Sequence, residues 1–237
     1  MNSNRVLKAF AALVVLAGLY QAAIAANGVP IPPGGGSGGG GDVRSMTPEE
    51  QAVAAYNSGI RQRDDALKSE AKAAKDTKES DRVKNTKKAR EQYEKALSSF
   101  KQAISLNPKL PQAYNGAGFA YRKLGDFKTA LDLYERALEL SPRFLDAIEY
   151  RAEAYLGLNM IDAAKDEYLK LFAMDRKQAD VLMKAMKDYV AKKKTDPTGV
   201  DPAALTAFEA WIAERAVVAD ATRPMGLYRG HALSSWH

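Results

Sequence analysis

The sequence predicts an all-α protein, a solenoid of antiparallel helix hairpins stacked side by side. Three observations predict it. The chain superposes on itself when shifted by 34 residues. Within each repeat, small residues and aromatics return at helical spacing. The repeats are preceded by a helix-start signal, Thr47-Pro48-Glu49-Glu50, in which Thr47 caps, Pro48 suits the first helical position and Glu50 completes a capping box.

Composition narrows the function. The chain has 237 residues, 27% of them charged and 8% aromatic, the balance of a globular protein. The net charge of +6 favours acidic partners, but acidic and basic residues are mixed along most of the chain, so nucleic-acid binding is not expected. There is no cysteine, which excludes disulfides, thiolate nucleophiles and Cys-based zinc sites. The only histidines, His231 and His237, lie at the C-terminal end, and no nucleophile-base spacing is present. The expectation is a protein that is not an enzyme and needs no metal or cofactor.

Residues 1–25 read as a secretory signal. Arg5 and Lys8 supply the positive start, the stretch from Ala9 to Tyr20 is almost wholly apolar, and Ala23-Ile24-Ala25 is an A-x-A cleavage pattern. The apolar run is shorter than the roughly 20 residues a spanning helix needs. A cleaved signal is therefore expected, and with it export to the periplasm or cell envelope. Membrane anchoring is the alternative if the signal stays uncleaved. Residues 26–45 follow as a Pro/Gly-rich tether. Pro30, Pro32 and Pro33 favour extended chain, and Gly34 to Gly41, broken only by Ser37, has almost no side chains to pack.

The array is expected over residues 46–178. Ala96, Ala130 and Ala164 superpose at the 34-residue shift, as do Phe100, Tyr134 and Tyr168, and Pro108 matches Pro142. The second repeat, 111–144, places Tyr114, Gly118 and Tyr121 on its first helix and Gly125-Asp126-Phe127 at its turn. Ala130, Tyr134, Ala137 and Pro142 complete it. The third, 145–178, matches at Ala152, Tyr155, Ala164 and Tyr168, but carries Asn159 at the turn and Arg176 where proline is expected. Small residues let two helices approach, and the aromatics fill the space against the next pair. These residues are read as core.

The first repeat, 46–110, is longer. Its second helix matches from Tyr93 to Pro108, and its first helix matches when Gly59 is set equal to Gly118. That leaves an excess of 25 highly charged residues without proline or glycine, read as an extended antiparallel hairpin turning near 76–81. Its basic residues Lys84, Lys87, Lys88 and Arg90 give an alternative function for 61–95, binding an anionic surface or polyanion, although charge runs are commonly solvated faces. Residues 179–220 read as a degenerate capping hairpin, its first helix striped by Leu182, Met186, Tyr189 and Val190 and its second by Leu205, Phe208, Trp211 and Ile212. Residues 221–237 read as a flexible tail.

The second repeat, with its small, aromatic and proline positions, closely resembles a tetratricopeptide repeat (TPR), and the third follows it. The resemblance implies a right-handed superhelix whose first helices line a concave face that receives an extended peptide or partner helix. On that basis the expected partner is another protein, with self-association through the array's edge also considered. The residues expected to face the groove are Asn57 and Ile60, then Asn115, Phe119 and Arg122, then Glu149, Tyr150 and Glu153, then Lys184 and Lys187. Phe119 and Tyr150 are expected as anchors, and Arg122 is expected to face Glu149 and Glu153. Asp146 and Glu149 stand where chaperone-binding members carry a basic residue, so capture of a chaperone's terminal carboxylate is not expected.

Overall fold

The computed structural model describes residues 45–222. The expected signal, the tether up to residue 44 and the tail from residue 223 lie outside the described residues. Among those described, the chain forms eight helices and no strand. In order these are α1 Pro48–Ala73, α2 Glu79–Leu106, α3 Pro111–Leu124, α4 Phe127–Leu140, α5 Leu145–Gly157, α6 Ile161–Met174, α7 Arg176–Thr195 and α8 Pro202–Ala221. The all-α solenoid predicted from the sequence is what the chain builds. None of the described helices is long and apolar enough to cross a membrane.

Local chemistry sets the helix ends. At α1, Glu50 N–H donates to the Thr47 hydroxyl at 3.2 Å, and Thr47 N–H donates to the Glu50 carboxylate at 2.8 Å. Two otherwise unmet donors are thus satisfied together. The turn between α3 and α4 needs a left-handed residue, and Gly125 supplies it at φ 92°. Asp126 then caps α4 by accepting from Thr129 N–H at 3.1 Å. The equivalent turn after α5 places Asn159 at φ 59°, a conformation Asn tolerates better than most side chains.

The first two hairpins close on the same contact. A Cβ on Gly118 would lie 2.7 Å from the Tyr134 ring, and one on Gly59 would lie 2.6 Å from the Phe100 ring. Phe100 and Tyr134 are each fully buried. The glycine of the first helix is thus a slot for the aromatic of the second. Gly59 and Gly118 are structural equivalents despite the long insertion between Gly59 and its partner. The insertion lengthens both helices of the first hairpin: α1 has 26 residues and α2 has 28, against 14 each in α3 and α4.

The third repeat and the cap join differently from the sequence reading. α7 begins at Arg176 rather than near residue 179, because Asp175 alone separates it from α6. Asp175 ends one helix and caps the next by accepting from Gln178 N–H at 2.9 Å. The cap seals the end of the core. Leu205, Phe208 and Ile212 of α8 are buried with Tyr168, Leu171, Leu182 and Met186. Trp211 packs half-buried, edge-on to Tyr168 at 5.4 Å and stacked on Phe208 at 6.0 Å. Burying such side chains contributes roughly 1.5–3 kcal/mol each.

Candidate binding groove

Consecutive hairpins stack so that α1 meets α3, α3 meets α5, and α5 meets α7. The second helices α2, α4 and α6 make no comparable contacts with one another among the described residues. The first helices therefore form the inner row, and the array curves toward them.

An aromatic row crosses this inner side. Phe119 of α3 meets Tyr150 of α5 edge-on at 5.2 Å, with Tyr93 at 6.1 Å from Phe119 and Tyr134 at 6.2 Å from Tyr150. Such geometry suits the ring quadrupoles. Two arginines cover the row. The Arg122 guanidinium lies 5.1 Å from the Phe119 centroid and 5.2 Å from that of Tyr150. Arg63 of α1 lies 5.9 Å from Phe119. Both are within cation–π range.

Carboxylates hold the arginines in place. Arg122 donates to Glu153 on the next hairpin, across α3 and α5. Arg63 donates to Asp64 at 2.7 and 3.0 Å. Burial works against the charge on Arg122, but the Glu153 carboxylate and the Tyr134 hydroxyl outweigh it and hold the guanidinium firmly protonated. A second polar node sits beside this one. The Gln178 side-chain amide donates to Glu149 and, at 3.2 Å, to Asp146. Glu149 is only 4% exposed. Burial, with the like charges of Glu153 and Asp146, pushes its carboxyl up to about 8, against the opposing pull of Arg122 and the Gln178 hydrogen bond. No group of three or more His, Cys, Asp or Glu side chains among the described residues is placed to hold a metal ion.

The ten expected groove residues divide. Phe119, Arg122, Glu149, Tyr150 and Glu153 come together as one cluster. Phe119 and Tyr150 are not open anchors, however. Phe119 is 8% exposed, and both rings lie under arginine. Arg122 pairs with Glu153, while Glu149 is bound by Gln178 instead. Asn115 is buried, and its side-chain oxygen accepts no hydrogen bond from the described residues. Asn57 is exposed on α1, and Ile60 is half-buried against the core of the first hairpin.

Lys184 and Lys187 do not join the cluster. Lys184 pairs with Asp188 at the surface at 2.5 Å. Lys187 lines a separate cleft of about 360 Å³ between α7 and α8, because the capping hairpin turns that side chain toward Glu209 and Ile212.

Sequence reasoning missed Arg63, Asp64 and Gln178. The signal for Arg63 was present: it follows Gly59 by four residues, as Arg122 follows Gly118. The glycine alignment that located the first helix locates the second arginine too. Gln178 had no such signal, because it comes from the atypical cap.

Comparison with known proteins bears on this geometry. Two tetratricopeptide-repeat family models match, one over residues 82–143 and one over 121–186. No curated protein matches the chain significantly. The solved first TPR domain of human RPAP3 covers 62% of this chain and is itself covered to 98%, with 17% identity and a TM-score of 0.44. The Sgt2 TPR domain of Aspergillus fumigatus covers 81% of this chain and is covered to 97%, with 18% identity and a TM-score of 0.40. The OM64 TPR domain of Arabidopsis covers 57% and is covered to 98%, with 16% identity and a TM-score of 0.40. The 34-residue period, the glycine-to-ring contact in successive hairpins and the two family matches show that residues 82–186 of this chain are built of tetratricopeptide repeats.

Proposed function

We propose that the chain is an exported, non-enzymatic scaffold that binds a protein partner on the inner face of its array. The carrying observation is the pair of equivalent arginines, Arg63 and Arg122, laid over the aromatic row at Phe119 and Tyr150. Arginine over aromatic rings stabilises the stack between hairpins, and it also presents the side-chain pairing that binding surfaces favour, because Arg and aromatic side chains dominate binding hot spots.

The charges define what fits. Arg63 pairs with Asp64 and Arg122 with Glu153, and Asp146 stands beside them on Gln178, so this stretch carries more acid than base even with the Glu149 carboxyl protonated. It suits a segment that presents an apolar side chain to the rings and a basic one to the acids. Entry requires Arg122 to swing off Phe119 and Tyr150, so the ligand competes with the Arg122–Glu153 pair.

The reading has two tests. Export predicts a mature protein in the envelope fraction that begins at Ala26, as read by N-terminal mass spectrometry. A chain that retains Met1 in the cytoplasm overturns it. Groove binding predicts that crosslinking in native envelopes captures a partner that Arg63→Ala and Arg122→Ala together release, with helical circular dichroism retained. Recovery unchanged by the double variant removes the groove assignment.

A further inference from the structure

The long first hairpin leaves a flank bare. α3 stops at Leu124, while α1 and α2 run on past it, since they are longer than α3 and α4 by 12 and 14 residues. On that flank lies an open cleft of about 660 Å³, walled by α1 and α2 with Lys123 of α3 at its base. Its longest wall is one stripe of α2, from Glu79 through Val83 and Lys87 to Arg90 and Tyr93. Fourteen helical rises from Glu79 to Tyr93 make that wall about 21 Å long. Its floor is apolar: Ala73, Ala89 and Tyr93 are buried there, and Val83 stands 57% exposed above them.

Two antiparallel helices alone leave one apolar stripe uncovered, and helix bundles cover it with a further helix. Elsewhere in this array the next hairpin does so. Along this cleft α3 covers only the Tyr93 end, through Phe119 and Lys123, and the end at Val83 is left without a covering helix among the described residues. The rim is net positive, with Arg82, Lys87, Arg90 and Lys123 against Glu70 and Glu79. Among the described residues Lys87 forms no ion pair, Lys123 pairs with Glu70 at 2.6 Å, and the Arg82–Glu79 and Arg90–Glu94 pairs are exposed at the surface. Such exposed pairs are worth little and are readily exchanged for new partners.

We propose that this cleft receives one amphipathic helix of a partner protein, with an apolar stripe and acidic flanks, completing a three-helix bundle with α1 and α2. The apolar floor selects a side-chain-bearing helix over a nucleic-acid backbone or a lipid headgroup surface. The cleft shares Tyr93 with the inner aromatic row, but neither Arg63 nor Arg122 lines it.

The test uses three synthetic 18-residue helical peptides with one shared Leu/Ala stripe and Glu, Gln or Lys on the flanks. Binding to the mature protein is read by fluorescence anisotropy at physiological salt. The expected order is Glu tightest, then Gln, then Lys. Val83→Asp and Lys87→Glu are each expected to weaken the Glu peptide tenfold or more, while Arg136→Ala, on the exposed face of α4, leaves it within twofold. NMR shifts on adding the Glu peptide are expected at Ala73, Val83, Lys87 and Tyr93. The proposal is overturned if the Glu peptide shows no binding below millimolar concentration, or if the three bind equally. It is also overturned if heparin or anionic vesicles bind with the same Lys87→Glu sensitivity while the Glu peptide does not.

Discussion

The Tyr189 hydroxyl donates to the side-chain oxygen of Asn159 at 3.0 Å, across 30 residues of sequence. The same Asn159 amide donates through its nitrogen to the Gly199 carbonyl at 3.0 Å. One left-handed turn residue therefore ties the α5–α6 turn to both α7 and the loop before α8. Where the second repeat places glycine for conformational freedom alone, the third places a residue that tolerates the conformation and anchors the cap.

Two substitutions separate those roles. Asn159→Gly keeps the backbone and loses both bonds, at an expected cost of about 1–2 kcal/mol. Asn159→Ala also strains the left-handed backbone, adding roughly 1 kcal/mol. Thermal unfolding should rank wild type above Asn159→Gly above Asn159→Ala. Equal midpoints for the two variants mean that the backbone conformation is not costly here.

The glycine slots carry a steeper prediction. An alanine at Gly59 or Gly118 gains helix propensity worth about 1 kcal/mol. It also places a methyl group within 3 Å of a buried ring, where overpacking costs about 1–3 kcal/mol. Net destabilisation is expected in denaturant titrations of both variants. Phe100→Leu makes room beside Gly59, so the pair Gly59→Ala/Phe100→Leu should recover part of the loss, whereas Gly118→Ala/Phe100→Leu should not.

The buried carboxyl of Glu149 makes stability depend on pH. Its folded pKa, pushed up to about 8, exceeds the ordinary carboxyl value of 4.5. Between those limits the folded state binds more protons than the unfolded state, so stability falls as pH rises, by at most about 1.4 kcal/mol per unit. Urea midpoints should therefore decline from pH 5 to pH 8. Glu149→Gln removes the ionisation and should flatten the profile. The groups facing this site are Asp146, Glu153, Arg122 and Gln178. A slope unchanged by Glu149→Gln assigns the effect elsewhere.

Arg122 holds two hairpins together through Glu153. Its side chain is 10% exposed and that of Glu153 is 25%, so each partner keeps some contact with water. Arg122→Ala is expected to cost about 2–3 kcal/mol, below the usual range for a fully buried pair. Glu153→Ala should cost less. A double-mutant cycle by chemical denaturation should return a coupling of about 1 kcal/mol or more. Additive losses mean that the stacking on Phe119 and Tyr150, rather than the ion pair, carries the contribution of Arg122.

The repeat was legible because its chemistry is local. Gly118 and Tyr134 lie 16 residues apart, and the next hairpin repeats the relation with Ala152 and Tyr168. The first hairpin was legible through Gly59 despite its insertion, because the ring it must admit, Phe100, falls in register with Tyr134. The state of the groove was not legible. Helical position says that Phe119 and Tyr150 face inward, but whether they are bare or covered depends on how far Arg122 reaches across to Glu153. The fate of Glu149 was hidden for a related reason, since its hydrogen-bond partner Gln178 belongs to a hairpin that follows no repeat. The start of α7 was misplaced because a single aspartate did the work expected of a longer linker.

That aspartate has a mechanical consequence. The junctions between α2 and α3 and between α4 and α5 each contain four residues, and the α6–α7 junction contains only Asp175. With φ −152° and ψ 111°, this one residue sets the direction in which the cap leaves the third hairpin. The angle between them is written in a single pair of torsions rather than averaged over a loop. Any bending of the array at these junctions therefore concentrates at the four-residue ones, while α6 and α7 travel together as a stiff pair. Replacing Asp175 with glycine releases that joint and relocates the softest point of the superhelix from its middle to its end.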